Sequence, residues 1–308
     1  MTVITIGLCV RSLKEVATET IDSILNQDFP KEKLELVIVS SKHQEDIDLI
    51  YPIVKKRINV KFFTDKGKGL AVARQLVIEN ATGKYILWVD SDVVLSQDFV
   101  RQQLAFISKD LGLGVVIGEF KHKNIRGRFF SNVMSLYWCM LKQIYFGATL
   151  CRVEALNDVG GFDRRITGAS EDTDLVFRLV AQCWKLAINP SATFVHKQRE
   201  TMKDLLKKGI WYGYGGHFMG HKYASASKVI FRIPPIYFIS GLKFSRKAYV
   251  KYFEKKAFLI PIVTTVFSVG WCLGLILGHL SGYGHSIKVP EVPKQKTAYI
   301  LQKLRLML

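Results

Sequence analysis

A run of five apolar residues, Tyr85-Ile86-Leu87-Trp88-Val89, ends abruptly in Asp90-Ser91-Asp92, and this junction constrains the fold more than any other stretch of the chain. Tyr, Ile, Trp and Val suit a buried strand, and Gly83 before them and the acids after them mark a strand followed by a loop. Acids at a strand's carboxyl end lie where open parallel sheets form their ligand crevice. In an extended loop, residues two apart point the same way. Asp90 and Asp92 are therefore expected to present oxygens to one spot while Ser91 turns aside. Hard oxygen ligands of this kind suit Mg2+ or Mn2+, ions that complete their coordination with water and substrate phosphates. The same residue types also form turns and helix caps, so this stretch alone leaves both readings open.

The flanking sequence supplies the sheet that such a strand needs. Residues 3–10 read as a first strand, Ser12 caps a helix carried by Leu13, Val16, Ile21, Ile24 and Leu25, and Asp28-Phe29-Pro30 stops it. Residues 34–39 are a second β-branched run closed by polar Ser40-Ser41. Residues 47–54 have helical spacing, and residues 60–63 make a short third strand. This alternation predicts an α/β domain with a mostly parallel central sheet flanked by helices. Asp65-Lys66-Gly67-Lys68-Gly69 forms a flexible basic loop before a helix over residues 70–80, and N–H groups at a helix start with nearby lysine suit an anionic phosphate.

Further along, residues 111–120 supply another strand and residues 121–128 a basic loop that can lie over the active face. Residues 129–143 form an aromatic, amphipathic segment with Met134, Trp138 and Leu141 at helical spacing. Ser170 is expected to cap a helix opening at Glu171, because Leu175, Val176, Leu179 and Val180 repeat on one face. Acids in a first helical turn fit the dipole alone, which accounts for Glu171 and Asp174. Asp172 has a second use, since a carboxylate beside a metal-bound substrate can take a proton from an attacking hydroxyl.

The charge is large and unevenly placed. The 308 residues carry a formal net charge of +18 and are 49% apolar, enough for a substantial core. From His196 to Lys256 fourteen Lys and Arg face three acids, a balance that fits phosphorylated substrates, an anionic membrane face or nucleic acid. The five cysteines are widely spaced with no C-x-x-C pair, as expected of reduced packing residues in a cytosolic domain. No basic segment or small-residue cleavage site marks the first ten residues as a secretory signal.

Residues 257–280 contain no Asp, Glu, Lys or Arg and as a helix would extend about 36 Å, enough for a hydrocarbon core of roughly 30 Å. Lys247, Lys251, Lys255 and Lys256 precede them and place that side, with the N-terminal domain, in the cytoplasm. Lys288, Lys294, Lys296, Lys303 and Arg305 follow, so the asymmetry is modest. Pro261, Gly270, Gly274 and Gly278 allow either a transmembrane helix or a re-entrant one. The expected organisation is a catalytic domain over residues 1–225, a basic interfacial segment over 226–256, the apolar helix over 257–280 and a basic tail over 281–308.

Taken in order, the first strand, the Gly69-to-Arg74 helix start, Val89-Asp90-Ser91-Asp92, Gly160-Gly161-Phe162-Asp163, Glu171-Asp172 and Val195-His196 resemble glycosyltransferase family 2 over about residues 1 to 215. The resemblance implies a GT-A fold, an α/β nucleotide-diphospho-sugar transferase sheet, followed here by a membrane-associated helical region. It implies a nucleotide-sugar donor and a divalent metal, Mg2+ or Mn2+, with Asp92, Asp90 and His196 as metal ligands. Cys9, Arg11, Ser40, Lys68, Gly69, Arg74, Asp90 and Ser91 would line the donor site. Asp172 would be the general base, with Glu171 and Arg74 in support.

The implied reaction is a single displacement that inverts the anomeric carbon. Ser40-Ser41 stands where many relatives carry an acid that contacts the nucleotide base, which leaves the nucleotide open. No Q-x-x-R-W follows His196, so addition of one sugar is favoured over polymer synthesis. Trp211-Tyr212-Gly213-Tyr214-Gly215-Gly216 resembles the Tyr-Gly pair that often ends such catalytic domains. Residues 229–242, with the Pro234-Pro235 break, suit an interfacial element. With the apolar helix, they point to a cell-membrane protein with a cytoplasmic catalytic domain and a lipid-linked or glycan acceptor, and no nucleic-acid partner. Two other functions use parts of the same pattern: a sugar nucleotidyltransferase, and a non-catalytic basic membrane scaffold.

Overall fold

The computed structural model describes residues 2–12, 18–123, 129–140, 146–196, 201–223, 233–288 and 300. Leu13 and Val16 of the first expected helix, the end of the basic loop at 124–128, Leu141, residues 229–232 and most of the basic tail lie outside the described residues. The first half alternates as expected: β1 (Ile4–Val10), α1 (Thr18–Leu25), β2 (Leu34–Ser40), α2 (His43–Val54), β3 (Asn59–Phe63), α3 (Leu70–Asn80) and β4 (Tyr85–Val89). Then follow β5 (Val93–Leu95), α4 (Phe99–Ile107), β6 (Leu113–Phe120), α5 (Phe129–Trp138), β7 (Ala148–Arg152), α6 (Val153–Asp158), α7 (Glu171–Ala181) and β8 (Lys185–His196).

All eight strands join one mixed sheet in the order β3-β2-β1-β4-β7-β6-β8-β5. β1 pairs in parallel with β2 and β4, β2 with β3, and β6 with β8. β7 runs antiparallel between β4 and β6, and β5 antiparallel to β8. The central strands are apolar on both faces because both are covered. Ile4, Ile6, Leu8, Leu36, Ile38, Leu87 and Val89 pack against α1, α2 and α4, whereas Val37, Val39, Ile86 and Trp88 face α3, α6 and α7. Gly7 lies opposite Trp88 in the β1–β4 register, and a Cβ there would sit 2.9 Å from Val77 and 3.0 Å from the indole. Glycine is what admits the large ring. The carboxyl ends of β1, β2 and β4 open on one edge, which puts Cys9, Ser40 and Asp90 side by side.

A second layer is helical: α8 (Met202–Tyr223), α9 (Pro234–Tyr252) and α10 (Ile260–Leu280), which pack with α5 around Val133, Leu136, Leu205, Ala248 and Val263. α10 runs unbroken, with Pro261 in its first turn, where a missing N–H is harmless. Gly270, Gly274 and Gly278 do not bend it. They let α8 approach closely: a Cβ on Gly274 would lie 2.0 Å from the Ile210 carbonyl, and one on Gly270 2.4 Å from that of Leu206. The glycines of the Tyr-Gly stretch answer from α8, where a Cβ on Gly213 would lie 1.9 Å from the Trp271 carbonyl. That stretch lies inside α8 and ends seven residues before the helix does at Tyr223. Among the described residues, Lys255–Leu280 is the helical stretch long and apolar enough to cross a membrane.

Candidate active site

The Asp90–Asp92 loop is a tight turn rather than an extended segment. The Val93 N–H donates to the Asp90 carbonyl (3.1 Å), and the Asp90 N–H donates to the Gly147 carbonyl (3.0 Å). The two carboxylates take different protein partners, Arg74 for Asp90 and His196 for Asp92. Gly147 is required here, since a Cβ would fall 2.3 Å from Asp90 Oδ2.

Asp90 Oδ1 accepts from Arg74 Nη2 at 3.1 Å, and Arg74 Nη1 donates to Glu171 Oε1 at 2.8 Å. Arg74 is buried and rises from α3, so one guanidinium joins the end of β4 to the start of α7. Its planar face is caged by the rings of Trp88, Phe146 and Phe162, with centroids 5.9, 5.4 and 5.8 Å away. Phe162 reaches that cage because Gly160 and Gly161 both take left-handed conformations, with φ of 71° and 69°. The turn that glycine alone makes cheaply thereby supplies one wall of the arginine's pocket.

Asp92 meets His196 instead, with Oδ2 2.8 Å from Nε2. The pairing follows from the sheet: Val93 opens β5 directly opposite His196, the last residue of β8. Burial works to raise the Asp92 carboxyl, but the ion pair and hydrogen bond with His196, with Lys208 beyond, hold it below the usual range.

Glu171 and Asp172 open α7 as expected, but Ser170 does not cap them. It sits in a left-handed conformation (φ 85°) with no side-chain bond to the helix, and its role is to turn the chain. Burial, then the charge of Asp172, pushes Glu171 up to about 8, partly offset by Arg74. Burial likewise raises Asp172, against the pull of Arg74 and of bonds from the Thr173 N–H (2.6 Å) and hydroxyl (3.2 Å). Two adjacent carboxylates beside one cation thus hold a proton more firmly than either would in water.

The remaining donor-site residues divide. Cys9 ends near Arg74 and Asp90, and burial pushes its thiol up to about 12, so it stays neutral. Arg11 and Lys68 are exposed at the crevice edge, and Ser91 is half-buried with its carbonyl accepting from Thr20 Oγ1 at 3.1 Å. Ser40 is buried and its hydroxyl is engaged by Asp46, which corrects its placement as a nucleotide contact. The basic loop is fastened rather than flexible. Asp65 accepts from the Gly67 N–H (3.1 Å), the Gly69 N–H (3.1 Å) and Ser41 Oγ (2.8 Å). Gly69 takes φ 104°. That Asp65 organises this loop was not read from the sequence, although an acid two residues before a glycine is a known turn signal.

Lys222 was missed entirely. Buried at the end of α8, its Nζ lies 2.6 Å from Asp163 Oδ2 and 2.6 Å from Asp174 Oδ1, while Tyr223 donates to Asp174 Oδ1 at 2.7 Å and Arg178 pairs with Asp174 Oδ2 at 2.7 Å. The acid of Gly160-Gly161-Phe162-Asp163 and that of the α7 first turn are therefore bound to one lysine from the helical layer. No local signal marks a lysine some fifty residues downstream as their partner.

A family model described as glycosyl transferase family 2 matches residues 6–157, and one described as glycosyl transferase family group 2 matches residues 85–287, well over half of the chain. The chain belongs to the family 2 glycosyltransferases. It is 26% identical over 224 residues to a poly-beta-1,6-N-acetyl-D-glucosamine synthase of Staphylococcus epidermidis, covering 66% of this chain and 52% of the synthase. It is 25% identical over 223 residues to a dolichyl N-acetyl-alpha-D-glucosaminyl phosphate 3-beta-D-2,3-diacetamido-2,3-dideoxy-beta-D-glucuronosyltransferase of Methanococcus voltae, covering 64% of this chain and 67% of that enzyme. The chain thus spans about half of the synthase's length (52%), and only 15% of an uncharacterized glycosyltransferase of Rickettsia felis that it also matches.

The fold is GT-A. A mannosyltransferase of Pyrobaculum calidifontis in complex with GDP-Man and Mn2+ superposes with a TM-score of 0.56 at 15% identity, covering 98% of this chain and 84% of that one. Residues 1–349 of TarS from S. aureus in complex with UDP-GlcNAc give 0.52 at 14% identity, covering 91% and 92%. This glycosyltransferase therefore shares its fold with proteins solved in complex with nucleotide-sugars.

Proposed function

We propose that the protein transfers one sugar from a nucleotide-sugar to an acceptor hydroxyl or phosphate at a membrane surface, with inversion at the anomeric carbon. The observation that carries the reading is Arg74, which fixes the Asp90 turn against the Glu171-Asp172 helix start. Two functional halves, far apart in sequence, then face one crevice.

Asp92, His196 and Asp90 are the residues to hold a divalent cation. A carboxylate and an imidazole already within 2.8 Å of each other form an O/N donor set that suits Mn2+ and also accepts Mg2+ with water. When bound, the cation would neutralise charge on the departing diphosphate. The exposed Arg11 and Lys68 side chains would bind phosphate oxygens. Asp172 would take the proton from the acceptor hydroxyl, and Glu171 beside it, bound to Arg74, would help to position it. A deprotonated oxygen can then attack the anomeric carbon from the face opposite the leaving diphosphate. One structural neighbour is solved with GDP-Man and another with UDP-GlcNAc, so the nucleotide is a matter for experiment.

The membrane reading draws on the outer faces of α9 and α10, where Ile239, Leu242, Val250, Leu273, Ile276 and Leu280 are all exposed. An apolar face of this kind beside Lys247, Lys251, Lys255 and Lys256 suits a bilayer with anionic headgroups on the cytoplasmic side. It would bring the active site to a lipid-linked acceptor, the acceptor class named for the dolichyl-phosphate relative.

The deciding experiment is a screen of UDP- and GDP-sugars with Mn2+, Mg2+ or chelator, following the nucleotide product. Metal-dependent release of nucleoside diphosphate is expected, and Asp92→Ala should abolish it. Pyrophosphate-dependent conversion of the nucleotide-sugar to nucleoside triphosphate and sugar 1-phosphate instead would assign a nucleotidyltransferase, and no turnover of any sugar nucleotide would assign a scaffold.

A further inference from the structure

Four of the chain's seven histidines meet at the far end of the α8–α10 pair. His217 and His221 stand one turn apart on α8, His279 lies in the last turn of α10, and His285 lies in the turn that follows. Ring centroids are 4.8 Å apart for His217–His221, 5.6 Å for His217–His279, 5.4 Å for His217–His285 and 5.2 Å for His279–His285. One ring nitrogen from each of His217, His279 and His285 falls within 4.8 Å of the others. Imidazole nitrogens bound to one tetrahedral cation are about 3.3 Å apart, given bonds of roughly 2.0 Å. Small rotations of the two exposed side chains, His279 and His285, close that difference.

The backbone holds the group in place. Gly278 lies against His217, where a Cβ would come 2.7 Å from that of the histidine, so α10 delivers His279 at close range. Gly282 and Gly284 take left-handed φ of 70° and 90° and fold the chain back, which returns His285 to α8. His217 Nδ1 lies 2.6 Å from the Tyr283 carbonyl. A carbonyl only accepts, so Nδ1 carries the proton and Nε2 the lone pair, the arrangement by which an outer partner orients a metal-binding imidazole. Burial, opposed by that bond and reinforced by the neighbouring histidines, lowers the His217 pKa, and burial and the same neighbours lower that of His221.

We propose that His217, His279 and His285 form a second cation site, distinct from the Asp92–His196 pair and selective for a borderline divalent ion of the Zn2+ class. Imidazole-only sites favour such ions over Mg2+ or Ca2+. The site has a structural consequence for the crevice. Tyr283 stacks on Tyr214 at 4.4 Å, and its hydroxyl accepts from the Thr167 N–H (2.7 Å) and the Gly168 N–H (3.3 Å). Thr167 and Gly168 lead directly into Ser170-Glu171-Asp172. A cation that ties His285 to His217 and His279 therefore fastens the Tyr283 turn over the loop that carries the proposed base.

The test uses untagged full-length protein with Asp92→Ala in the background, so that the donor-side acid cannot contribute. After chelation and dialysis, Co2+ is added and its visible ligand-field absorption is titrated, and thermal unfolding is followed with and without Zn2+. One equivalent of Co2+ with the intense absorption of a low-coordinate site is expected. Zn2+ at about 100-fold excess over its Kd should raise Tm by about 4 °C. His279→Gln with His285→Gln, both exposed and so compatible with folding, should abolish both signals while leaving metal-free Tm unchanged. Equal Zn2+ shifts with and without those substitutions, or no absorption in the Asp92→Ala protein, would overturn the proposal. Neither readout involves sugar transfer, so its failure is separable from failure of the glycosyltransferase reading.

Discussion

Replacing Arg74 with Met tests the junction on which the crevice is built. Met keeps an unbranched apolar stem inside the Trp88, Phe146 and Phe162 cage but removes the charge. Glu171, 3% exposed, is left without its 2.8 Å partner, and Asp90 without its 3.1 Å one. Breaking a buried pair by removing one member costs about 3 to 5 kcal/mol, because the surviving charge is uncompensated. For a chain of this size that corresponds to a Tm loss of about 5 to 8 °C. A second substitution, Glu171→Gln, removes the stranded carboxylate while keeping its shape. Arg74→Met with Glu171→Gln should therefore be more stable than Arg74→Met alone, with a coupling of about 2 kcal/mol. Differential scanning calorimetry on the four proteins of that cycle gives the answer. Additive losses, or an Arg74→Met Tm within about 2 °C of the parent, would refute the account of Arg74 as the buried counter-ion of both acids.

Asp172→Asn preserves shape and removes the base, so nucleotide-sugar binding should persist while transfer falls by at least about 100-fold; normal turnover would reject the assignment. Since burial raises Asp172 and the proposed base acts unprotonated, kcat/KM should decline on the acid side above the usual carboxylate value near 4. Gly274→Ala should destabilise by about 1 to 3 kcal/mol, read by chemical denaturation, although alanine is the better helix former by about 1 kcal/mol. Stabilisation would mean that α8 and α10 do not touch there. Lys222→Met should blunt acid unfolding: burial opposes ionisation of Asp163, but Arg165 and Lys222 hold it below its usual range, a contribution present above about pH 4 and lost as pH falls.

Local chemistry made much of the catalytic half legible in the sequence. Continuous β-branched runs require strands buried on both faces, so the alternation through β4 and the position of Asp90 at a carboxyl end followed from residues 3–92. The conformation of Asp90-Ser91-Asp92 was not legible, because an extended loop and a turn use the same residues and the Gly147 carbonyl decides between them. Ser40 was misplaced for a related reason: a hydroxyl at the right edge of the sheet is available only if no buried acid claims it, and Asp46 does.

The sequence by itself determined which residues are apolar on which period, and hence the strands, the α7 start and the acids at their ends. It also determined that one C-terminal helix carries no charge. Tertiary structure alone decided which carboxylate meets which cation: Asp90 and Glu171 with Arg74, Asp92 with His196, Asp163 and Asp174 with Lys222. It also decided that the glycines of α10 are a packing surface for α8 rather than a bend, and that histidines at 217, 279 and 285 converge. The physical reason is range. Periodicity and turn chemistry act within a few residues, whereas ion pairing and close helix contact depend on where distant segments come to rest, which only the packed core fixes.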